Sequence, residues 1–265
     1  LISSYAYLLV FHGSRDYRTQ AAAANLKQLL NVKYQSLSLS SQQNYLASSL
    51  VNSESEIAST VNFTETPLIE VAPLELTPIS VSESLISFAQ KAEQQGINQI
   101  KVVPLFLTPG VHVQQDIPAE IALARKQINC QVTIQLSPYL GKYSEIVPLL
   151  SRKFAELPAK TRILIAHGTR LPLGAIYYKN LAHQLDADLA YWSTTPWFSE
   201  RVKAHIALGI KKIALLPYFL FPGKITDAIS QEIALIQQEY PQVELFLGQP
   251  LGATAALAEL IAQEA

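Results

Sequence analysis

Apolar-rich runs recur along the chain at Tyr5–Phe11, Leu68–Leu74, Ile100–Phe106 and Val132–Leu136, and again at Ile163–Ala166, Leu189–Trp192, Ile213–Phe219 and Val243–Phe246, and those such as Tyr7-Leu8-Leu9-Val10-Phe11 lack polar alternation. Short runs without polar alternation are the pattern of strands covered on both faces, as in a parallel sheet. Stretches with helical spacing of apolar residues separate them, among them Thr19–Leu30, Ser82–Gln95, Asp116–Gln127 and Ile225–Glu239. Asp116 and Asp227 stand where N-caps are wanted, and Pro118 suits a first helical turn. This alternation predicts an α/β protein made of two similar doubly wound parallel-sheet domains facing each other across a cleft.

The two sets of runs are also alike in sequence. Tyr7-Leu8-Leu9-Val10-Phe11-His12-Gly13-Ser14-Arg15 returns as Arg162-Ile163-Leu164-Ile165-Ala166-His167-Gly168-Thr169-Arg170. The run from Lys101 to Pro109-Gly110 returns as that from Lys212 to Pro222-Gly223. The expected division is a domain over 1–157 and a repeat over 158–265. The first half carries an excess, about 36–66, rich in Ser, Asn, Gln and Thr and lacking Lys, Arg, Pro and Gly. A long connection without strong periodicity is expected to be a flexible insertion, a lid or a binding loop.

Composition narrows the classes. Of 265 residues, 49% are apolar and 15% charged, so a sizeable core is expected, and a net charge of −1 with no basic stripe argues against nucleic acid as the partner. No apolar run is long enough for a membrane span, and no leader is expected from the first residues. The chain holds no methionine, and an initiator residue is expected to have been removed or to lie outside it. The single cysteine, Cys130, has no internal partner for a disulfide, is read as an inert buried thiol and fits a reducing compartment. A cytoplasmic monomer with no permanently bound cofactor is the expectation.

Ligands of an open parallel sheet bind outside the carboxyl ends of its strands. His12 follows the first strand, Glu75 the second and His112 the third, so all three are expected at one crevice. Two imidazoles and a carboxylate suit a divalent first-row metal, and the same groups can accept protons. The alternatives are a structural hydrogen-bonding role for His12 and a merely solvated carboxylate at Glu75. In the second half Ile225 follows Lys224 where a histidine would be needed, and Tyr191-Trp192-Ser193-Thr194 matches the Glu75 region, so His167 reads as a relic that shapes a turn. His183 and His205 lie in helical stretches and are expected at the surface. No G-x-G-x-x-G, P-loop or G-x-S-x-G pattern occurs, which leaves a dinucleotide-binding domain or an α/β-hydrolase without its essential element.

The segments Phe11-His12-Gly13-Ser14-Arg15, Glu70-Val71-Ala72-Pro73-Leu74-Glu75-Leu76 and Val103–Pro118 together resemble the sirohydrochlorin chelatases, the class II chelatases of the CbiX/SirB type, in their long, internally duplicated form. The resemblance implies insertion of Fe2+ or Co2+, as substrate metal, into sirohydrochlorin, for siroheme or cobalamin biosynthesis. It further implies that His12 and His112 bind the incoming metal. Glu75 is carried as a catalytic candidate beside them. Ser14, Arg15, Gly110, Val111 and Lys224 are the expected substrate contacts: Arg15 and Lys224 suit peripheral carboxylates or are solvated surface charges, and Gly110 lets a ring approach the backbone. A carrier that binds tetrapyrrole or metal without turnover is the alternative. Nothing in the ligand set chooses iron over cobalt.

Overall fold

The computed structural model describes residues 5–51 and 67–265. The first half runs β1 (Tyr5–Phe11), α1 (Tyr17–Val51), β2 (Ile69–Pro73), α2 (Val81–Gln94), β3 (Gln99–Pro104), α3 (Ile117–Gln127), β4 (Thr133–Leu136) and α4 (Ile146–Ala155). The second runs β5 (Thr161–Ala166), α5 (Pro172–Gln184), β6 (Asp188–Tyr191), α6 (Phe198–Ala207), β7 (Lys212–Pro217), α7 (Lys224–Glu239), β8 (Glu244–Leu247) and α8 (Ala255–Glu264). The strands form two parallel four-stranded sheets of the same topology, β2-β1-β3-β4 and β6-β5-β7-β8. The expected α/β architecture of two similar parallel-sheet halves is therefore the observed one.

Both faces of each central strand are covered, which is why runs such as Tyr7–Phe11 lack polar alternation. In β1, Ala6, Leu8 and Val10 join Phe88, Ala89, Ile117 and Ile121 on one side of the sheet. The alternate residues Tyr7, Leu9 and Phe11 face the other side and share a core with Leu164, Ala166 and Leu216 of the second sheet. One apolar layer thus lies between the two sheets. Each half sends its last helix into that layer. Helix α4 meets β7, and α8 lies along α1, burying Leu257, Leu260 and Ile261. Glu264 accepts hydrogen bonds from the Ser144 hydroxyl (2.8 Å) and amide (3.1 Å), and Lys33 of α1 pairs with Glu259 at 2.8 Å. The sequence repeat consequently does not coincide with two separately closed cores.

Three local expectations are corrected. Helix α1 continues well past Leu30, to Val51, so the first part of the 36–66 excess is helix rather than loop; Ser, Asn and Gln tolerate helix when it extends an existing one, because nucleation has already been met. The rest of that excess, 52–66, lies outside the described residues. Asp116 makes no capping hydrogen bond to α3, although Pro118 does sit in its first turn. Asp227 does not cap α7 either; the Gly223 amide donates to Thr226 Oγ1 at 2.8 Å there, and Asp227 pairs with Arg18.

Cys130 is only half-buried, and burial together with the Glu93 carboxylate pushes its thiol pKa up. His183 is exposed as expected, whereas the His205 ring is largely covered and lies 2.6 Å from Asp188 Oδ2. Among the described residues no helix is long and apolar enough to cross a membrane.

Candidate metal centre

The parallel pairing of β1 with β2 continues one step beyond the strands. The Leu74 amide donates to Phe11 O at 2.7 Å and the Glu75 amide to His12 O at 3.0 Å, so His12 and Glu75 emerge side by side. Gly13 makes this possible. Its φ is +89°, and a Cβ there would lie 2.1 Å from the Glu75 carbonyl oxygen, so no other residue fits without moving β2. On the other flank, β3 leads through Pro109-Gly110 into a single π-helical turn, His112–Asp116, in which the Ile117 amide bonds back to His112 O.

These three approaches bring one ligand atom each from His12, Glu75 and His112 within 4.8 Å of one another. His12 Nε2 is 4.0 Å from Glu75 Oε2, and His112 Nε2 is 3.8 Å from Glu75 Oε1. The imidazoles meet edge to face with centroids 4.9 Å apart, and the Phe106 ring lies against both, at 6.4 Å from His12 and 5.7 Å from His112. Metal–ligand bonds of about 2.1 Å in tetrahedral array would set ligand atoms roughly 3.4 Å apart. Closing the difference takes only small rotations of side chains that are partly open to solvent, His12 at 55%, Glu75 at 47% and His112 at 29%.

The outer nitrogens set the tautomers. His12 Nδ1 lies 3.1 Å from Gly13 O, a carbonyl that can only accept, so the proton belongs on Nδ1 and the Nε2 lone pair is left free. His112 Nδ1 lies 2.7 Å from Asp116 Oδ2, which fixes the same tautomer. Both free lone pairs therefore point toward the Glu75 side.

His12 also borders a cavity of about 370 Å³ whose other wall comes from the second half: Phe219, Phe221, Pro222, Gly223 and Lys224. Ser14 and Asp16 complete the near wall. Across its edge, Arg18 donates to both oxygens of Asp16 (Nε to Oδ1 at 3.0 Å, Nη2 to Oδ2 at 2.6 Å) and of Asp227 (Nη1 to Oδ1 at 3.0 Å, Nη2 to Oδ2 at 2.6 Å), one carboxylate from each half.

The CbiX family model matches residues 6–157 and 161–265. The chain belongs to the CbiX family. Among relatives, the sirohydrochlorin cobaltochelatase of Priestia megaterium is 22% identical over 214 residues, 75% of this chain and 68% of that protein. The sirohydrochlorin ferrochelatase of the same organism is 22% identical over 213 residues, 76% of this chain and 77% of that one. The fold is likewise that of SirB from Bacillus subtilis with Fe3+, at a TM-score of 0.72 and 20% identity, covering 98% of this chain and 94% of that one.

The CbiX site residues expected from sequence do not all gather at one point. His12, Glu75 and His112 do. Ser14 and Lys224 line the cavity, with Lys224 within electrostatic reach of Asp16; the Ser14 hydroxyl accepts from the Asp16 amide at 3.0 Å. Gly110 has open space where a Cβ would stand, and Val111 is 44% exposed beside His112. Arg15 is exposed and forms no ion pair among the described residues.

Sequence reasoning missed Arg18, whose alternation with Asp16 in Asp16-Tyr17-Arg18 was the available hint. Asp116 was noticed but given the wrong partner; its place four residues after His112 is the spacing at which helical side chains meet. Gly13 was signalled by the repetition of His-Gly in both halves.

Proposed function

We propose that this chain is a metal chelatase that inserts Fe2+ or Co2+ into sirohydrochlorin. The observation that carries the reading is the His12–Glu75–His112 cluster: three ligand atoms within 4.8 Å, with both imidazoles presenting free Nε2 lone pairs. A partly exposed site of this kind holds an ion without enclosing it, which suits a metal that is cargo rather than a resident cofactor. The relatives named above, a cobaltochelatase and a ferrochelatase acting on the same macrocycle, support the reading.

The chemistry follows from the residues. The incoming ion exchanges waters for His12, His112 and Glu75. The macrocycle enters over the carboxyl ends of β1, β2 and β3, where Val111 (44% exposed) and Leu76 (56% exposed) offer apolar contact next in sequence to the ligands. As ring nitrogens replace the protein ligands, two pyrrole protons must leave, and the vacated His12, His112 and Glu75 are the bases at hand. Lys224, Arg15 and Ser14 are assigned to the peripheral carboxylates, whose binding offsets the cost of bending the ring. A division at 157/158, with the working site in the first half, a cytoplasmic setting and action as a monomer are parts of the same proposal. The core shared between the halves supports the last, because one chain supplies both walls of the cavity.

Anaerobic incubation of sirohydrochlorin with Fe2+, Co2+ and Ni2+, followed by absorbance with and without protein, tests the proposal. Acceleration over the protein-free rate is expected for Fe2+ or Co2+. Tight binding of the tetrapyrrole with no acceleration for any metal would reject turnover in favour of a carrier.

A further inference from the structure

The turn that carries His112 is one residue longer than its counterpart in the second half. Pro104 and Pro217 end β3 and β7, and Phe106 and Phe219 each lie against the histidine of the neighbouring turn, with ring centroids 6.4 Å apart in both. The following helices also match through their buried residues: Ile117, Ile121 and Ala124 in α3, and Ile229, Ile233 and Ile236 in α7. Between Gly110 and Ile117 lie six residues; between Gly223 and Ile229 lie five. The extra residue is absorbed as the π-helical turn His112–Asp116, while α7 starts as ordinary α-helix at Lys224. A single inserted residue inside a helix is what a π-bulge accommodates, and such bulges concentrate at functional sites.

The turn also decides what stands over the imidazole. The Asp116 side chain makes no capping hydrogen bond to the helix it precedes, and the partner of its carboxylate is His112 Nδ1 at 2.7 Å. Residues at the same distance beyond Gly223 are Ile225 and Ile229, so the second half lacks imidazole, carboxylate and extra residue together.

We infer that Asp116, delivered by the one-residue insertion, is a positioning residue that holds His112 with Nε2 toward the metal and makes that nitrogen a stronger donor. The inference rests on the proposed metal-binding reading of His12, Glu75 and His112, which it deepens. A carboxylate accepting the outer N–H of a ligating histidine fixes its tautomer and ring orientation and raises its basicity, and loss of such a partner costs on the order of 10–100-fold in metal affinity.

Titration of the metal-free protein with Co2+ alone, read by visible absorbance and by thermal melting, tests this without the tetrapyrrole. Asp116→Asn keeps the volume and one acceptor, and its Co2+ affinity should fall roughly 10-fold; Asp116→Ala should approach 100-fold. Deletion of the exposed Gln115 should turn the bulge into regular helix and weaken binding at least as much. A weakened Co2+ band with an unchanged melting temperature in Asp116→Asn would support the inference even if the deletion variant failed to fold. Native Co2+ affinity in Asp116→Ala, with binding lost in His112→Ala, would overturn it and leave the metal site standing. Native affinity in His112→Ala would overturn both.

Discussion

After β1, His12 meets the carboxylate of Glu75 and the ring of His112. After β5, His167 meets the hydroxyl of Ser193, 3.5 Å from its Nδ1, and the Phe219 ring at 6.4 Å. The backbone of the two turns is nevertheless the same. The Ser193 amide donates to His167 O at 2.9 Å as that of Glu75 does to His12 O at 3.0 Å, and Gly13 and Gly168 both have positive φ. The comparison separates scaffold from chemistry. A His-Gly turn at a strand end is held by sheet pairing and glycine, with no need of a ligand set. What makes a candidate metal site of it is what the next two strands deliver, and only β2 and β3 deliver Glu75 and His112.

The hardest test of that contrast is to remove the imidazoles one at a time. His12→Ala and His112→Ala should each lower metal insertion by at least about 100-fold, because both take away a direct ligand, while melting temperature stays near native. His167→Ala should stay within roughly twofold of native activity, since its neighbours offer no second metal-binding side chain. A loss on His167→Ala equal to that on His12→Ala, in the same absorbance assay, would erase the distinction between the halves. The converse experiment adds ligands to the silent half. Ser193→Glu with Ile225→His should bind no second equivalent of Co2+, because the start of α7 lacks the extra residue that the π-helical turn gives to His112. A second tight equivalent would show that side chains alone make the difference.

How much of this contrast the chain announces in advance depends on the range of the interaction. The strands were legible because residues such as Leu8 and Leu9 are buried on opposite faces of one sheet, which forbids alternation. His12, Glu75 and His112 were legible because parallel strands put their carboxyl ends together whatever lies between them. The exchange of α4 and α8 was not, since an amphipathic helix does not state which sheet it covers. The reach of α1 to Val51 was hidden by its many Ser residues and Asn44, whose weak helix preference is overridden by continuation from a packed first part. The roles of Asp116 and Asp227 were misread for a related reason: a carboxylate at a helix start has a local use, and here each has a nearer partner, His112 in one case and Arg18 in the other.

The glycines sharpen the comparison at intermediate magnitude. An alanine at position 13 would carry its Cβ to 2.1 Å from the Glu75 carbonyl oxygen, which moves only if β2 moves. At Gly168 the nearest atoms are Ser193 Oγ and Thr194 Cγ2, both at 2.8 Å, and these are side-chain ends able to turn away. Both substitutions bear the strain of positive φ, about 1–2 kcal/mol. Gly13→Ala should therefore destabilise clearly more than Gly168→Ala and should also disturb Co2+ binding. Equal melting temperatures for the two variants would mean that the β1–β2 turn is softer than its geometry implies.

The smallest effect is expected at the link between the halves. Arg18 is held by Asp16 and Asp227, and its hydrogen bonds keep both carboxyls below the usual aspartate pKa. Lowered carboxyl pKa values stabilise the folded arrangement fully above the ordinary value near 3.9 and lose that contribution only as pH falls through the lowered values. Between pH 5 and 8 the link is therefore constant, and any change in insertion rate across that range arises elsewhere. Arg18→Ala should loosen the cavity wall that Ser14 and Asp16 share with Gly223 and Lys224, raising KM for the tetrapyrrole by roughly two- to fivefold with kcat little changed, the modest scale of ion pairs that remain partly open to solvent. High salt should narrow the gap between variant and native protein, because it screens the same pairs. A drop in kcat with KM unchanged would place Arg18 among the groups that serve the metal transfer itself, and the two halves would then share the chemistry as well as the cavity.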